Sequence, residues 1–219
     1  LFRRLISAAV LAPATFFVIW KGGLLFLAFV ALCAAVSLYE WTQLSLKTDR
    51  RIFFSICGVA YILLTYWCCY LIGSGFAVTL PLLFVLMVWA SDSGAYFVGK
   101  KIGGRKMSPE VSPNKTWSGF AGALLAPALV AWLFLFWHGG YAPPGLAHGI
   151  AALASGALLG FVGQSGDLVV SFLKRRAGAK DSGHLIPGHG GLLDRVDAMI
   201  LAAPVYLFIL TEFPDVFPG

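Results

Sequence analysis

Residues 76–98 read FAVTLPLLFVLMVWASDSGAYFV and run straight into GKKIGGRK at 99–106. Within those twenty-three residues the one charged side chain is Asp92. About 20 consecutive apolar residues suffice for a helix to cross the hydrocarbon core of a bilayer, whereas a barrel strand needs about half that length and alternates in polarity. A continuous run of this length, closed by a cluster of cations, predicts a membrane-spanning helix. Working outward in both directions, comparable apolar segments occupy 5–20, 22–39, 52–72, 117–137, 147–173 and 196–212. The predicted fold is all-α: a polytopic transmembrane helical bundle of about seven spans. It forms a single integral membrane domain over 1–219, with N-terminal helices over 1–75 and a catalytic core of helices and loops over 76–219. Strands are not expected, since the apolar runs are continuous.

Composition agrees. Hydrophobic residues make up 59% of the chain and charged residues 12%, with a mean hydropathy of +0.83. Soluble domains carry about 25% charged residues, so lipid must solvate much of this surface, and no room remains for a separate soluble domain. Alternate connections hold fifteen of the sixteen Lys and Arg. Cationic loops stay on the cytoplasmic side, which predicts a cytoplasmic N-terminus and a C-terminus outside. The pI near 9.3 then reflects topology and anionic headgroups. No aromatic-basic interleaving supports a nucleic-acid partner, and none is expected. Cys33, Cys57, Cys68 and Cys69 lie inside apolar runs and read as small buried hydrophobes. The opening Leu1-Phe2-Arg3-Arg4 reads as the flank of a first transmembrane helix rather than a signal peptide. Turns are expected at Lys21-Gly22-Gly23, Gly73-Ser74-Gly75 and Gly139–Gly145, and a charged loop at 47–51.

The fourth and sixth connections carry most of the unusual residues. Asp92 and Asp167 stand inside apolar helices, where an ionised group costs at least about 2.5 kcal/mol and therefore faces a cavity, a cation or a partner. Asp167 and Lys174 share a helix face. Asp194 and Asp197, three apart at the start of the last helix, also share one, and adjacent carboxylates repel unless a proton or metal lies between them. Carboxylates at helix ends suit Mg²⁺, which takes a few carboxylates plus water and substrate phosphates. Lys174, Arg175, Arg176, Lys180 and Arg195 supply donors for phosphate oxygens. Gly188-His189-Gly190-Gly191 allows close backbone approach and an anion nest. Acid, base and glycine together indicate phosphoryl or nucleotidyl transfer. Structural alternatives stay open for each residue. Asp194 and Asp197 would also favour a helix dipole, residues 174–176 would also anchor headgroups, and His184 and His189 would also merely fill the loop. Glu40, between Tyr39 and Trp41, reads as an interface residue at the cytoplasmic end of the second span.

The region Ser171-Phe172-Leu173-Lys174-Arg175, Lys180-Asp181-Ser182-Gly183, Pro187-Gly188-His189-Gly190-Gly191 and Asp194-Arg195-Val196-Asp197 closely resembles the pattern of phosphatidate cytidylyltransferases. Ser91-Asp92-Ser93-Gly94-Ala95-Tyr96 and Ser112-Pro113-Asn114-Lys115-Thr116-Trp117 resemble the family's other polar stretches, as does the opening Arg4-Leu5-Ile6-Ser7. Asn114 stands where the family usually has glycine, and the chain is shorter than many members before Asp92. The resemblance implies that CTP and phosphatidic acid give CDP-diacylglycerol and pyrophosphate with Mg²⁺, at the cytoplasmic face of the bacterial inner membrane among membrane lipids. It assigns Asp167 and Asp194 to metal binding, and Asp167, Asp194, Lys174 and Asp197 to catalysis. Ser171, Lys115, Arg175, Lys180, Asp181, His189, Arg195 and Asp92 would contact substrate. A homodimer is left open. The rival enzyme is a CTP-dependent polyprenol or phytol kinase. An ion-coupled transporter would show matching broken repeats, and none appears.

Overall fold

The computed structural model describes residues 2–138, 145–185 and 190–217, with side chains from residue 11 onward. Seven helices follow in order: α1 (Phe2–Lys21), α2 (Gly23–Ser45), α3 (Arg51–Gly75), α4 (Thr79–Ile102), α5 (Trp117–His138), α6 (Leu146–Arg176) and α7 (Leu193–Glu212). Continuous apolar runs become helices because lipid offers backbone N–H and C=O groups no partner, so each segment must satisfy its own. Helices α2 to α6 are long and apolar enough to cross a membrane. The remaining two predicted segments also form helices, of 20 residues each. In α7 the first turns are spent on Asp194, Arg195 and Asp197. Large apolar side chains face outward along the bundle, among them Leu24, Ile52, Leu125 and Phe208. The chain is an all-α polytopic membrane protein.

One element departs from that expectation. Between α4 and α5 the chain forms a short antiparallel hairpin, β1 (Lys106–Ser108) with β2 (Ser112–Thr116), pairing Lys106 with Thr116 and Ser108 with Ser112 across an irregularity. The expectation of no strands came from the length of the apolar runs. The hairpin lies outside them, in polar sequence folding back around Pro109.

The turn at Lys21-Gly22-Gly23 forms as predicted, with Gly22 and Gly23 both at positive φ (61° and 57°), a conformation that glycine adopts without a Cβ clash. The Gly73–Gly75 turn is displaced. Helix α3 continues through Gly75, Ser74 Oγ donates to the Tyr70 carbonyl at 2.7 Å, and the chain turns only at 76–78. The Gly139–Gly145 turn lies almost entirely outside the described residues. Cys68 is buried and Cys33 and Cys69 partly so, but Cys57 is exposed, so its thiol faces the lipid side rather than the core.

Helices α4, α5, α6 and α7 pack in sequence order. Small residues let their backbones meet, as is usual where lipid gives no hydrophobic drive to associate. A Cβ on Gly122 would lie 2.5 Å from the Gly94 carbonyl oxygen, and one on Gly166 would lie 2.6 Å from that of Asp197. Buried side chains then lock the helices. Thr65 Oγ1 in α3 donates to the Ile200 carbonyl of α7 at 2.8 Å, and the Tyr206 hydroxyl in α7 donates to the Leu80 carbonyl of α4 at 2.9 Å. At roughly 1.5 Å per residue, the 31 residues of α6 reach about 46 Å, beyond a hydrocarbon core of about 30 Å. Its end, with Lys174, Arg175 and Arg176, extends past the apolar zone.

Candidate active site

Contacts gather the C-terminal ends of α2, α4 and α6 with the N-terminal ends of α5 and α7 at one end of the bundle. Two ion pairs organise that end. Lys115, on β2, places Nζ 2.6 Å from Asp167 Oδ2 in α6, and also donates to the Gln164 carbonyl at 3.3 Å. Lys174, in α6, places Nζ 2.6 Å from Asp194 Oδ1 in α7. The hairpin therefore has a clear role in the fold: it carries Lys115 across from α4 and α5 to the acidic face of α6. Arg175 holds the hairpin from below, its Nε donating to the Val111 carbonyl at 3.1 Å.

Around Asp167 the polar groups are closely linked. Ser171, one turn on, donates its hydroxyl to Asp167 Oδ1 at 3.1 Å. Gln164, one turn before, is buried and donates Nε2 to Asp92 Oδ1 at 3.3 Å. The charges of Asp92, Asp167 and Asp197 bear on one another. Lys115 and Arg195 oppose the charge of Asp92, and Lys174 opposes that of Asp197. A cavity of about 230 Å³ opens onto Asp92, Lys115 and Asp167 between α4, α5, α6 and the hairpin. Asp92, Asn114, Lys115, Gln164 and Asp167 form its polar wall, and Ala95, Tyr96, Met107 and Phe120 its apolar one. One space thus brings charged side chains and an apolar wall together.

Asp194 belongs to a second network. Its Oδ1 accepts from Lys174, while its Oδ2 accepts from the Ser182 amide at 2.8 Å, the Ser182 hydroxyl at 3.1 Å and the Gly191 amide at 3.1 Å. Lys174 and Asp194 side chains are 10% and 6% exposed, so the pair is shielded from solvent. The Gly191 amide, expected to help form an anion nest, points inward to Asp194. Lys180, Asp181 and His184 are exposed on the α6–α7 connection, and Arg195 is exposed on α7. His189 lies outside the described residues.

Three polar residues at this end were not among the candidate site residues. Gln164 and Ser182 link the acidic groups. Glu40 is the larger surprise: instead of sitting at an interface, it is 4% exposed. Its Oε1 accepts from the Leu192 amide at 3.0 Å, and its Oε2 from the Leu193 amide and the Ser182 hydroxyl, each at 2.8 Å. It thereby caps the free N–H groups at the start of α7 from a helix distant in sequence. Glu40 stands just past the apolar segment 22–39, between Tyr39 and Trp41, so the cost argument applied to Asp92 and Asp167 gave no signal there.

The donor set can be tested against a hard cation. Among the described residues, no three His, Cys, Asp or Glu side chains stand close enough to enclose an ion. Mg²⁺ does not need such a cage: one or two carboxylates suffice when water and substrate phosphates complete the shell. The Asp92, Asp167 and Asp197 group, negative in excess of its lysine, fits that description.

Comparison with known proteins bears on the same residues. The profile described as "Cytidylyltransferase family" matches residues 48–213. The phosphatidate cytidylyltransferase of Brucella suis biovar 1 (strain 1330) is 38% identical over 271 aligned residues, covering 97% of this chain and 95% of the relative. That of Rickettsia bellii (strain RML369-C) is 35% identical over 211, covering 95% and 90%. That of Bacillus subtilis (strain 168) is 44% identical over 128, covering 58% and 46%. The 271-residue alignment exceeds the 219 residues here, so the Brucella protein carries segments without a counterpart in this chain. The Rickettsia protein aligns over a length close to its own. With most of its length matched by profile and relatives alike, this chain belongs to the cytidylyltransferase family.

Proposed function

We propose that the protein transfers CMP from CTP to phosphatidic acid, forming CDP-diacylglycerol and releasing pyrophosphate. A phosphate oxygen of the lipid attacks the α-phosphorus of CTP. One P–O bond forms, the bond from the α-phosphorus to the bridging oxygen of the β-phosphate breaks, and that oxygen leaves with pyrophosphate. No protein nucleophile is needed, so catalysis consists of positioning two anionic reactants and neutralising their charge. The observation that carries this reading is the shared cavity, where acidic and basic side chains from α4, β2 and α6 meet an apolar wall.

In this reading Lys115 and Lys174 bind phosphate oxygens and hold the carboxylates beside them in place. Ser171 orients Asp167, Gln164 orients Asp92, and Arg175 steadies the hairpin that brings Lys115. Arg195 and Lys180, both exposed, meet the outer phosphates as they arrive from solution. Mg²⁺ held by Asp167 with Asp197 or Asp92 would supply charge neutralisation between the triphosphate and the lipid phosphate. Asp194, first paired with Asp167 as a metal ligand, would reach the ion only by releasing Lys174 or a backbone donor; its main task is to anchor Lys174. The basic end faces the cytoplasm, following the charge asymmetry of the loops. The proposed topology is accordingly seven spans with an inner N-terminus and an outer C-terminus, in the bacterial inner membrane.

The test is direct. Purified protein in lipid receives CTP, phosphatidic acid and Mg²⁺, and products are resolved. Pyrophosphate with CDP-lipid supports the proposal. CDP with a newly phosphorylated lipid alcohol would transfer the chain to the kinase reading.

A further inference from the structure

Glu40 stands on α2, ahead of the stretch that matches the family profile, and reaches into the centre of the polar network. Both of its oxygens accept hydrogen bonds, the pattern of an ionised carboxylate. Its donors come from two places on one connection: Ser182, six residues beyond the end of α6, and Leu192 with Leu193, where α7 begins. The segment closes tightly on it. A Cβ on Gly191 would lie 2.4 Å from Glu40 Oε2, and one on Gly183 would lie 2.8 Å from Oε1. The Ser182 hydroxyl is also shared, at 2.8 Å from Glu40 and 3.1 Å from Asp194. It has one proton to give, so the two carboxylates are coupled through it.

We infer that Glu40 is a positioning residue for the transfer reaction: it clamps the α6–α7 connection to α2 at Ser182 and at the start of α7 and, through Ser182, sets the placement of the Asp194–Lys174 pair. This rests on the transfer reading above. Glu40 does not line the cavity and touches no substrate; it acts through Asp194 and Lys174. Glutamine in its place keeps the shape, but its NH₂ faces an N–H or O–H donor wherever it turns, because every partner of Glu40 donates. The N-terminal helices thus become part of the catalytic apparatus rather than a membrane anchor alone.

The experiment compares the full chain in lipid with Glu40→Gln, Glu40→Asp and Ser182→Ala. Rates are normalised to the monodisperse fraction, and amide hydrogen exchange is read at residues 182–193. In Glu40→Gln, kcat falls about tenfold with little change in KM for CTP, as expected for weakened hydrogen bonds to a charged group. Exchange at Leu192 and Leu193 quickens about tenfold. Glu40→Asp restores part of both, since the charge remains on a shorter arm, and Ser182→Ala lowers kcat while leaving the Leu193 amide protected. Glu40→Gln with unchanged kcat and unchanged exchange overturns the inference, as does a loss that follows only the amount of folded protein and that Glu40→Asp does not recover. If the unsubstituted chain makes no CDP-lipid, the transfer reading fails instead. Exchange at Leu192 and Leu193 then supports the clamp if it quickens in Glu40→Gln and overturns it if it does not.

Discussion

Replacing Asp194 by Asn gives the sharpest test of the second ion pair. Asp194 accepts Lys174 on one oxygen and three donors on the other. Asparagine keeps the size yet offers one oxygen, so its NH₂ must face either the Lys174 ammonium or the Ser182 and Gly191 donors. Removing one partner of a buried pair costs about 3–5 kcal/mol, and the oxygen that remains argues for the lower figure. At about 1.4 kcal/mol per decade, a misplaced Lys174 should lower kcat roughly a hundredfold. The same loss should lower the melting temperature by about 6–12 °C for a chain of this size. Pyrophosphate release at saturating CTP and thermal unfolding in detergent measure the two effects. A second variant separates them: Asp194→Asn with Lys174→Met leaves no unpaired charge, so stability should partly return, while activity should not. Asp194→Asn with more than half the normal kcat and an unchanged melting temperature would mean that the Lys174–Asp194 pair positions nothing the reaction needs.

Other consequences can be checked alongside. Lys115→Ala leaves Asp167 facing the charges of Asp92 and Asp197 without its 2.6 Å partner; kcat/KM for CTP should fall about a hundredfold, given a few kcal/mol for a desolvated charge contact. Gly122→Ala puts a Cβ 2.5 Å from the Gly94 carbonyl and 2.7 Å from Val98; helix separation should cost about 1–3 kcal/mol, read as earlier unfolding in detergent. Chelating divalent ions with EDTA should abolish turnover, and Mg²⁺ should restore it. Full activity in EDTA would remove Mg²⁺ from the proposal.

Much of the site was legible because charge is expensive in lipid. Asp92 and Asp167 announced themselves by their apolar surroundings, and the structure joins them through Gln164 and Lys115. Helical spacing placed Lys174 on the face of Asp167, since positions seven along fall on one side; the structure adds Ser171, four along, to that face. Spacing along one helix says nothing about partners on another. It could not show that Asp194 pairs with Lys174 while Asp167 pairs with Lys115, that Arg175 turns to a hairpin carbonyl, or that Glu40 reaches the start of α7. Each of those contacts joins residues distant in sequence.

A helical membrane protein follows from the apolar runs alone, because at spanning length they leave the backbone no other way to satisfy its polar groups. That the polar chemistry collects at one end follows as well, because charged residues occur where those runs stop. Which carboxylate meets which cation is visible only in the packed bundle. That choice depends on how glycine-lined helices slide against one another and where a short hairpin lands, quantities set by packing over the whole bundle rather than by any local pattern.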